Sequence, residues 1–415
     1  MSDKRIEEIH KLIKEIVSEQ NAKKKFVAGK TRVKYAEPLF DGSEINEVID
    51  SLVGGWLAEG ERTKKFEEGF AKFVGTKHCT VVNSGSSALL LSFAALADKS
   101  WPEHLEKGDE VITSALTFPT SLNAIILNGL TPVLVDADRK YYNFDTSLVE
   151  KMITEKTRAI LAMHHLGNPN EMDKLQKLAK EHNLFIVEDC CDSHGSTFND
   201  KVVGSFGEAG SFSFYGAHAM TMGEGGAITS NSLDMKELII SLKTCGLHPK
   251  AYVDYDKRTL YTTIGYKMRV IEMQGAMALK QLDRLPGFVK ARRDNFKKIV
   301  KGLKPFENWL ELPVATPKSD PSWFSVPFTL REDAGFSRKE LVDFLEKQNI
   351  ETRPLLGGNV LKQPAYENLD CRTTEMTNTN YFHNNSFYVG CHPGLTNEMI
   401  NYMVSQFEAF FKKRK

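Results

Sequence analysis

The chain has 415 residues, with Lys+Arg and Asp+Glu at 54 each, so no excess charge points to nucleic acid or a membrane surface. Its six cysteines are irregularly spaced and make no disulfide framework, and no apolar run approaches the ~18 residues of a membrane span. Together with a charged start lacking the apolar centre of a signal peptide, this predicts a cytoplasmic, reduced protein.

Met1 to Gln20 is patterned as a helix, with Ile6, Ile9, Leu12, Ile13 and Ile16 on one face. We read residues 1–37 as a helical arm, 38–303 as a large domain and 304–415 as a smaller α+β domain. Six short apolar runs follow Gly54: Cys79–Val82, Glu110–Ile112, Pro132–Val135, Ala159–Met163, Leu184–Val187 and Gly210–Ser213. Helix-length stretches separate them, which predicts an α/β fold with a mainly parallel central sheet covered by helices. A helical pattern runs from Glu272 to Lys301, broken at Pro286. Beyond it come a strand pattern at Trp323–Phe328 and helices at Ser337–Gln348 and Asn397–Lys412.

Four stretches carry chemistry. Asn83-Ser84-Gly85-Ser86-Ser87-Ala88 follows a strand and opens an apolar helix, so its N–H groups and the helix dipole suit an anion; an ordinary serine cap explains it equally well. Thr117-Phe118-Pro119-Thr120 places an aromatic after a strand, although a lone Phe118 reads more simply as core. Ile186-Val187-Glu188-Asp189 delivers acids at a strand end, where a buried cationic partner would find them. Ser211-Phe212-Ser213-Phe214-Tyr215-Gly216-Ala217-His218 ends a strand in a loop with a lone imidazole, followed by the glycine-rich Gly223 to Gly226. No set of residues has metal-ligand spacing.

This last stretch resembles the DegT/DnrJ/EryC1/StrS family, whose pattern there is Ser-Phe-aromatic-x-x-Lys-x-x-Thr-x-Gly-Glu-Gly-Gly. His218 stands where the family carries its Schiff-base lysine, an exchange that marks the branch of sugar-nucleotide 3-dehydratases. The resemblance implies the fold-type I aminotransferase architecture and a pyridoxamine or pyridoxal 5'-phosphate cofactor. By it, Gly85, Ser86, Ser87 and Ser213 grip the phosphate, Phe118 stacks on the ring, and Asp189 pairs with the ring nitrogen. Asp192 stands near the ring hydroxyl, where the family usually has His or Gln. Lys267 replaces an asparagine that reaches the phosphate of the neighbouring subunit, so a homodimer is implied. From Lys23 onward the chain looks most like the CDP-4-keto-6-deoxyglucose 3-dehydratases. These carry an iron-sulfur cluster on cysteines, whereas the matching stretch here, Thr244 to Tyr252, has only Cys245. No cluster is therefore expected.

The implied reaction removes the 3-hydroxyl of a CDP- or GDP-linked 4-keto-6-deoxy sugar, with glutamate as the amino donor that restores the cofactor. His218, near its ordinary pKa, would serve as base and then acid. In this it resembles the GDP-4-keto-6-deoxymannose 3-dehydratases. A 4-aminotransferase working without lysine and a cofactor-binding protein without catalysis are the alternatives.

Overall fold

All six apolar runs are strands, and their alternation explains the layers. The strands are β1 (His78–Val82), β2 (Glu110–Ser114), β3 (Thr131–Val135), β4 (Thr157–Met163), β5 (Phe185–Asp189) and β6 (Ala209–Ser213). Val111, Leu161 and Val187 pack on one side of the sheet among Leu89, Phe93 and Ile239, whereas Ile112, Ile160 and Ile186 pack on the other among Leu175 and Leu178. With both faces covered, each strand reads as a continuous apolar run. The computed structural model describes residues 4–251 and 253–414; Met1–Asp3 of the predicted arm, Tyr252 of the Thr244 stretch and Lys415 lie outside the described residues.

Two further strands, β7 (Gly226–Ser230) and β8 (Arg372–Thr373), complete an eight-stranded sheet in the order β1-β7-β6-β5-β4-β2-β3-β8. β7 runs antiparallel to both β1 and β6, and the other pairings are parallel. Neither strand has an apolar run to announce it. Gly226 is required by close approach, since a Cβ there would lie 2.3 Å from the Ser84 carbonyl oxygen. β8 shows that the later part of the chain also contributes to the large sheet.

The predicted break at Pro286 does not occur: one helix spans Glu272–Leu303 with Pro286 inside it. Pro286 and Gly287 are on the exposed side of that helix, while Leu285, Phe288 and Val289 are buried. The hydrogen bond that proline forfeits is therefore lost where water can replace it, and the buried side keeps the helix in place. A second, four-stranded antiparallel sheet holds Leu310–Glu311, Ser325–Leu330, Ser386–Gly390 and Thr352–Arg353 around a core that includes Phe328, Phe387 and Phe407. The helices at Arg338–Lys347 and Asn397–Lys412 flank it. The first helix, Lys4–Lys23, buries none of its residues. No helix among the described residues is long and apolar enough to cross a membrane.

Candidate active site

A cavity of about 200 Å³ opens where β4, β5 and β6 end and the helix after β1 begins. In parallel sheets this edge collects ligands, because strand ends and helix starts converge there. Gly85, Ser86, Phe118, Asp189, Asp192, Ser213 and His218 all line it. Ser87 and Lys267 do not. A wider depression of about 830 Å³, bordered by Glu103, Glu150, Arg158 and His182, contains none of the predicted residues.

The helix Gly85–Leu96 begins at the cavity. Ser84 is its N-cap and accepts from the Ser87 N–H at 3.0 Å, and the Ser87 hydroxyl donates to Asn83 Oδ1 at 2.6 Å. Ser87 is thus committed to the cap, while the first-turn N–H groups of Gly85 and Ser86 have no intrahelical acceptor. Gly85 lies hard against the end of β6: a Cβ there would meet Ser213 Cβ at 2.5 Å and Cys191 Sγ at 2.9 Å. Only glycine lets Ser213 close over the helix start.

Alternation along β5 separates the two acids. Glu188 turns away from the cavity and accepts from the N–H groups of Gly204 (2.8 Å), Phe206 (2.7 Å) and Gly207 (3.1 Å). His164 Nε2 lies 3.2 Å from Glu188, and its Nδ1 accepts from the Asn170 N–H, so the proton is on Nε2. Cys190 completes a group of three ligand-type side chains with these two, but the Glu188 oxygens are already occupied by donors. Asp189 faces the cavity. Its Oδ1 accepts from the Cys191 N–H at 3.2 Å and its Oδ2 from the Ser121 hydroxyl at 2.6 Å. Ser121, missed in the sequence, had no signal beyond adjacency to the Thr117–Thr120 motif.

His218 hangs from a turn in which its N–H bonds to the Tyr215 carbonyl at 3.0 Å. The Thr221 hydroxyl closes the turn on the Phe214 carbonyl. Its Nδ1 approaches Asp192 Oδ1 at 3.5 Å, and its ring lies 5.4 Å from Phe324 and 6.0 Å from His194. Burial, helped by the Arg292 charge, holds His218 down to about 3, so the expectation of an ordinary imidazole is not met. Burial and the nearby Asp189 charge push Asp192 the other way, up to about 7, with Arg292 opposing. Arg292 is itself buried and donates to the Phe324 carbonyl at 2.8 Å. Burial also pushes the Cys191 thiol well above its usual range.

Remote segments supply the remaining wall. Tyr35, Phe324, Leu356 and Tyr388 join Phe118 and Tyr215 in an aromatic and aliphatic lining, and no lysine lines the cavity among the described residues. Phe118 is 46 % exposed, more open than a core phenylalanine. Lys267 is exposed outside its own chain's cavity, its backbone bridged to Thr244.

Comparison with known proteins identifies the family. Residues 38–408 match the model of the DegT/DnrJ/EryC1/StrS aminotransferase family. The chain is 40 % identical to a lipopolysaccharide biosynthesis protein, RfbH, of Salmonella typhimurium over 98 % of each chain. It is 39 % identical to the dTDP-4-dehydro-2,6-dideoxy-D-glucose 3-dehydratase of Saccharopolyspora spinosa, over 94 % of this chain and 88 % of that one. The solved GDP-4-keto-6-deoxy-D-mannose-3-dehydratase of E. coli, with bound hydrated PLP, superposes with a TM-score of 0.86 at 30 % identity, over 91 % of this chain and 99 % of that one. By sequence and by fold, the chain belongs to the DegT/DnrJ/EryC1/StrS aminotransferase family.

Proposed function

We propose that this protein removes the 3-hydroxyl of a nucleotide-linked 4-keto-6-deoxy sugar, using pyridoxamine 5'-phosphate and His218. The observation that carries the reading is an imidazole, with no lysine beside it, in a cavity otherwise built for this cofactor. The donor set fits the cofactor: first-turn N–H groups and Ser213 for a phosphate, Phe118 for a ring face, and Asp189 for a ring nitrogen. Pyridoxamine phosphate supplies an amine to condense with the sugar's keto carbon and a cationic ring to take up the charge left by proton removal.

The protein's part is proton handling and exclusion of water. His218 is uncharged throughout the neutral range, which suits a group that must first accept a proton. Once protonated, it is a stronger acid than an ordinary imidazole, which suits transfer to the departing 3-hydroxyl. Asp192 faces Nδ1, which would leave Nε2 as the atom that takes up a proton and later gives it back. Phe324, Leu356 and Tyr388 keep the reacting centre dry and offer an apolar wall to a sugar lacking its 6-hydroxyl.

The finer reading is a cytoplasmic homodimer with the domain division 38–303 and 304–415, Lys267 reaching the partner's phosphate, and glutamate restoring the amine. It runs without an iron-sulfur cluster and yields a 3-deoxy keto sugar. The support for running without a cluster is the single Cys245 in the Thr244–Tyr252 stretch.

The test is incubation with pyridoxamine phosphate, glutamate and a panel of CDP-, GDP- and dTDP-linked 4-keto-6-deoxy sugars, following product mass. Loss of the 3-hydroxyl with one of them is the expected result. A stable amino sugar that keeps its hydroxyl would instead establish an aminotransferase, and no turnover across the panel would leave only a binding role.

A further inference from the structure

Ser121 lies outside every motif, yet it is fully buried and its hydroxyl is 2.6 Å from Asp189 Oδ2. It is the third residue of the helix Pro119–Leu127, whose N-cap is Phe118, and its own N–H bonds to the Phe118 carbonyl at 3.1 Å. One helical turn therefore carries both the aromatic that lines the cavity and the donor that grips the acid. The positive end of that nine-residue helix also favours an anion at Asp189.

The neighbouring carboxylate makes this donor consequential. Asp189 and Asp192 are three residues apart, and both are buried at the cavity. Two carboxylates so close and so dry do not both ionise readily. Their surroundings differ: Asp189 receives Ser121 and the Cys191 N–H, whereas Asp192 Oδ2 has no hydrogen-bond partner among the described residues. The donors converge on Asp189.

We propose that Ser121 is a positioning residue for the cofactor ring, holding the Asp189 carboxylate in register with Phe118 so that the protonated ring nitrogen keeps its partner. The inference rests on the cofactor reading above. Without Ser121, Asp189 is free to turn away from the ring nitrogen. A ring that loses its carboxylate partner gives up its proton more readily and is a weaker electron sink.

The test uses pyridoxamine phosphate labelled with ¹⁵N in the ring, bound at saturation, with the ring-nitrogen shift followed against pH. In Ser121→Ala the deprotonation midpoint should fall by about one pH unit, and the cofactor dissociation constant, read by fluorescence, should rise about tenfold. Ser121→Thr, which keeps the hydroxyl, should restore both. Should the alanine variant fail to fold, Ser121→Cys keeps the volume with a weaker donor and must move the midpoint the same way. A midpoint unmoved in the saturated alanine or cysteine variant overturns the inference while leaving the cofactor reading intact. A parental protein that binds no pyridoxamine phosphate would overturn the cofactor reading first, and this inference with it.

Discussion

Asp192 Oδ1 lies 3.5 Å from His218 Nδ1, too long for a formed hydrogen bond, in a pair whose side chains are only 7 % and 13 % exposed. An ionised Asp192 accepts from Nδ1–H and leaves Nε2 free as a base; a protonated Asp192 cannot hold that tautomer. Because Asp192 is pushed up to about 7, kcat/KM should fall as pH drops below neutrality. The group responsible is the acid, since His218 is already uncharged there. Asp192→Asn should cost about a hundredfold in kcat and abolish that limb of the pH profile. A limb that survives the substitution would show another group titrating.

Replacing His218 separates proton transfer from binding. His218→Asn should lower dehydration by about a hundredfold or more while cofactor affinity changes little. His218→Lys should form a covalent link to pyridoxal phosphate, visible as an absorbance band removed by borohydride, and should lose dehydration. Dehydration by the lysine variant at the parental rate would show that the imidazole is not the proton carrier.

The two acids of β5 should part company on substitution. Glu188→Gln puts an amide N–H₂ where one pair of donors, either Gly204 and His164 or Phe206 and Gly207, needs an acceptor. It should cost about 3 kcal/mol of stability, with cofactor affinity preserved in whatever stays folded. Asp189→Asn should do the reverse, leaving the melting temperature nearly unchanged and weakening cofactor binding. Thermal scans and cofactor titrations of the two variants check this directly.

Gly85→Ala tests the closeness of the helix start to β6. The added methyl would meet Ser213 Cβ at 2.5 Å and must push the two apart. We expect a loss of about 1–3 kcal/mol and weaker inhibition by inorganic phosphate and phosphorylated cofactor analogues. Ser86→Ala, on the exposed side of the same turn, should leave stability unchanged.

Buried imidazoles set the acid limit of the fold. Burial holds His165 and His218 to about 3 and His392 to about 4, against an ordinary 6.5. Below 6.5 the unfolded chain binds protons that the native chain does not, so stability is full above that pH and drains away as pH falls toward 4. Each ring contributes about 1.4 kcal/mol per pH unit within that window. Asp192 acts in the opposite sense: its raised value favours the native state at low pH, an advantage lost as pH climbs from about 4 to 7. Three imidazoles outweigh one carboxyl. The melting temperature should therefore drop between pH 6.5 and 5, with a shallower slope in His165→Phe.

Local pattern was enough to determine the parallel strands, the acid at the end of β5, the glycine-opened helix and a lone imidazole in a loop, which the family resemblance put in a lysine's place. Each depends on a few consecutive residues whose periodicity, turn chemistry or motif is complete within the stretch. Pattern could not show that β7 inserts antiparallel, because Gly226 to Ser230 are small residues whose strand conformation comes from pairing with β1 and β6. Nor could it show that the helix runs through Pro286, which depends on which side meets solvent. Ser121, Arg292, Phe324 and Tyr388 reach the site from segments up to hundreds of residues apart, and their roles exist only once packing excludes water. Tertiary structure alone turned His218 from an ordinary histidine into an uncharged one, because desolvation belongs to the assembled cavity and not to the sequence around the ring.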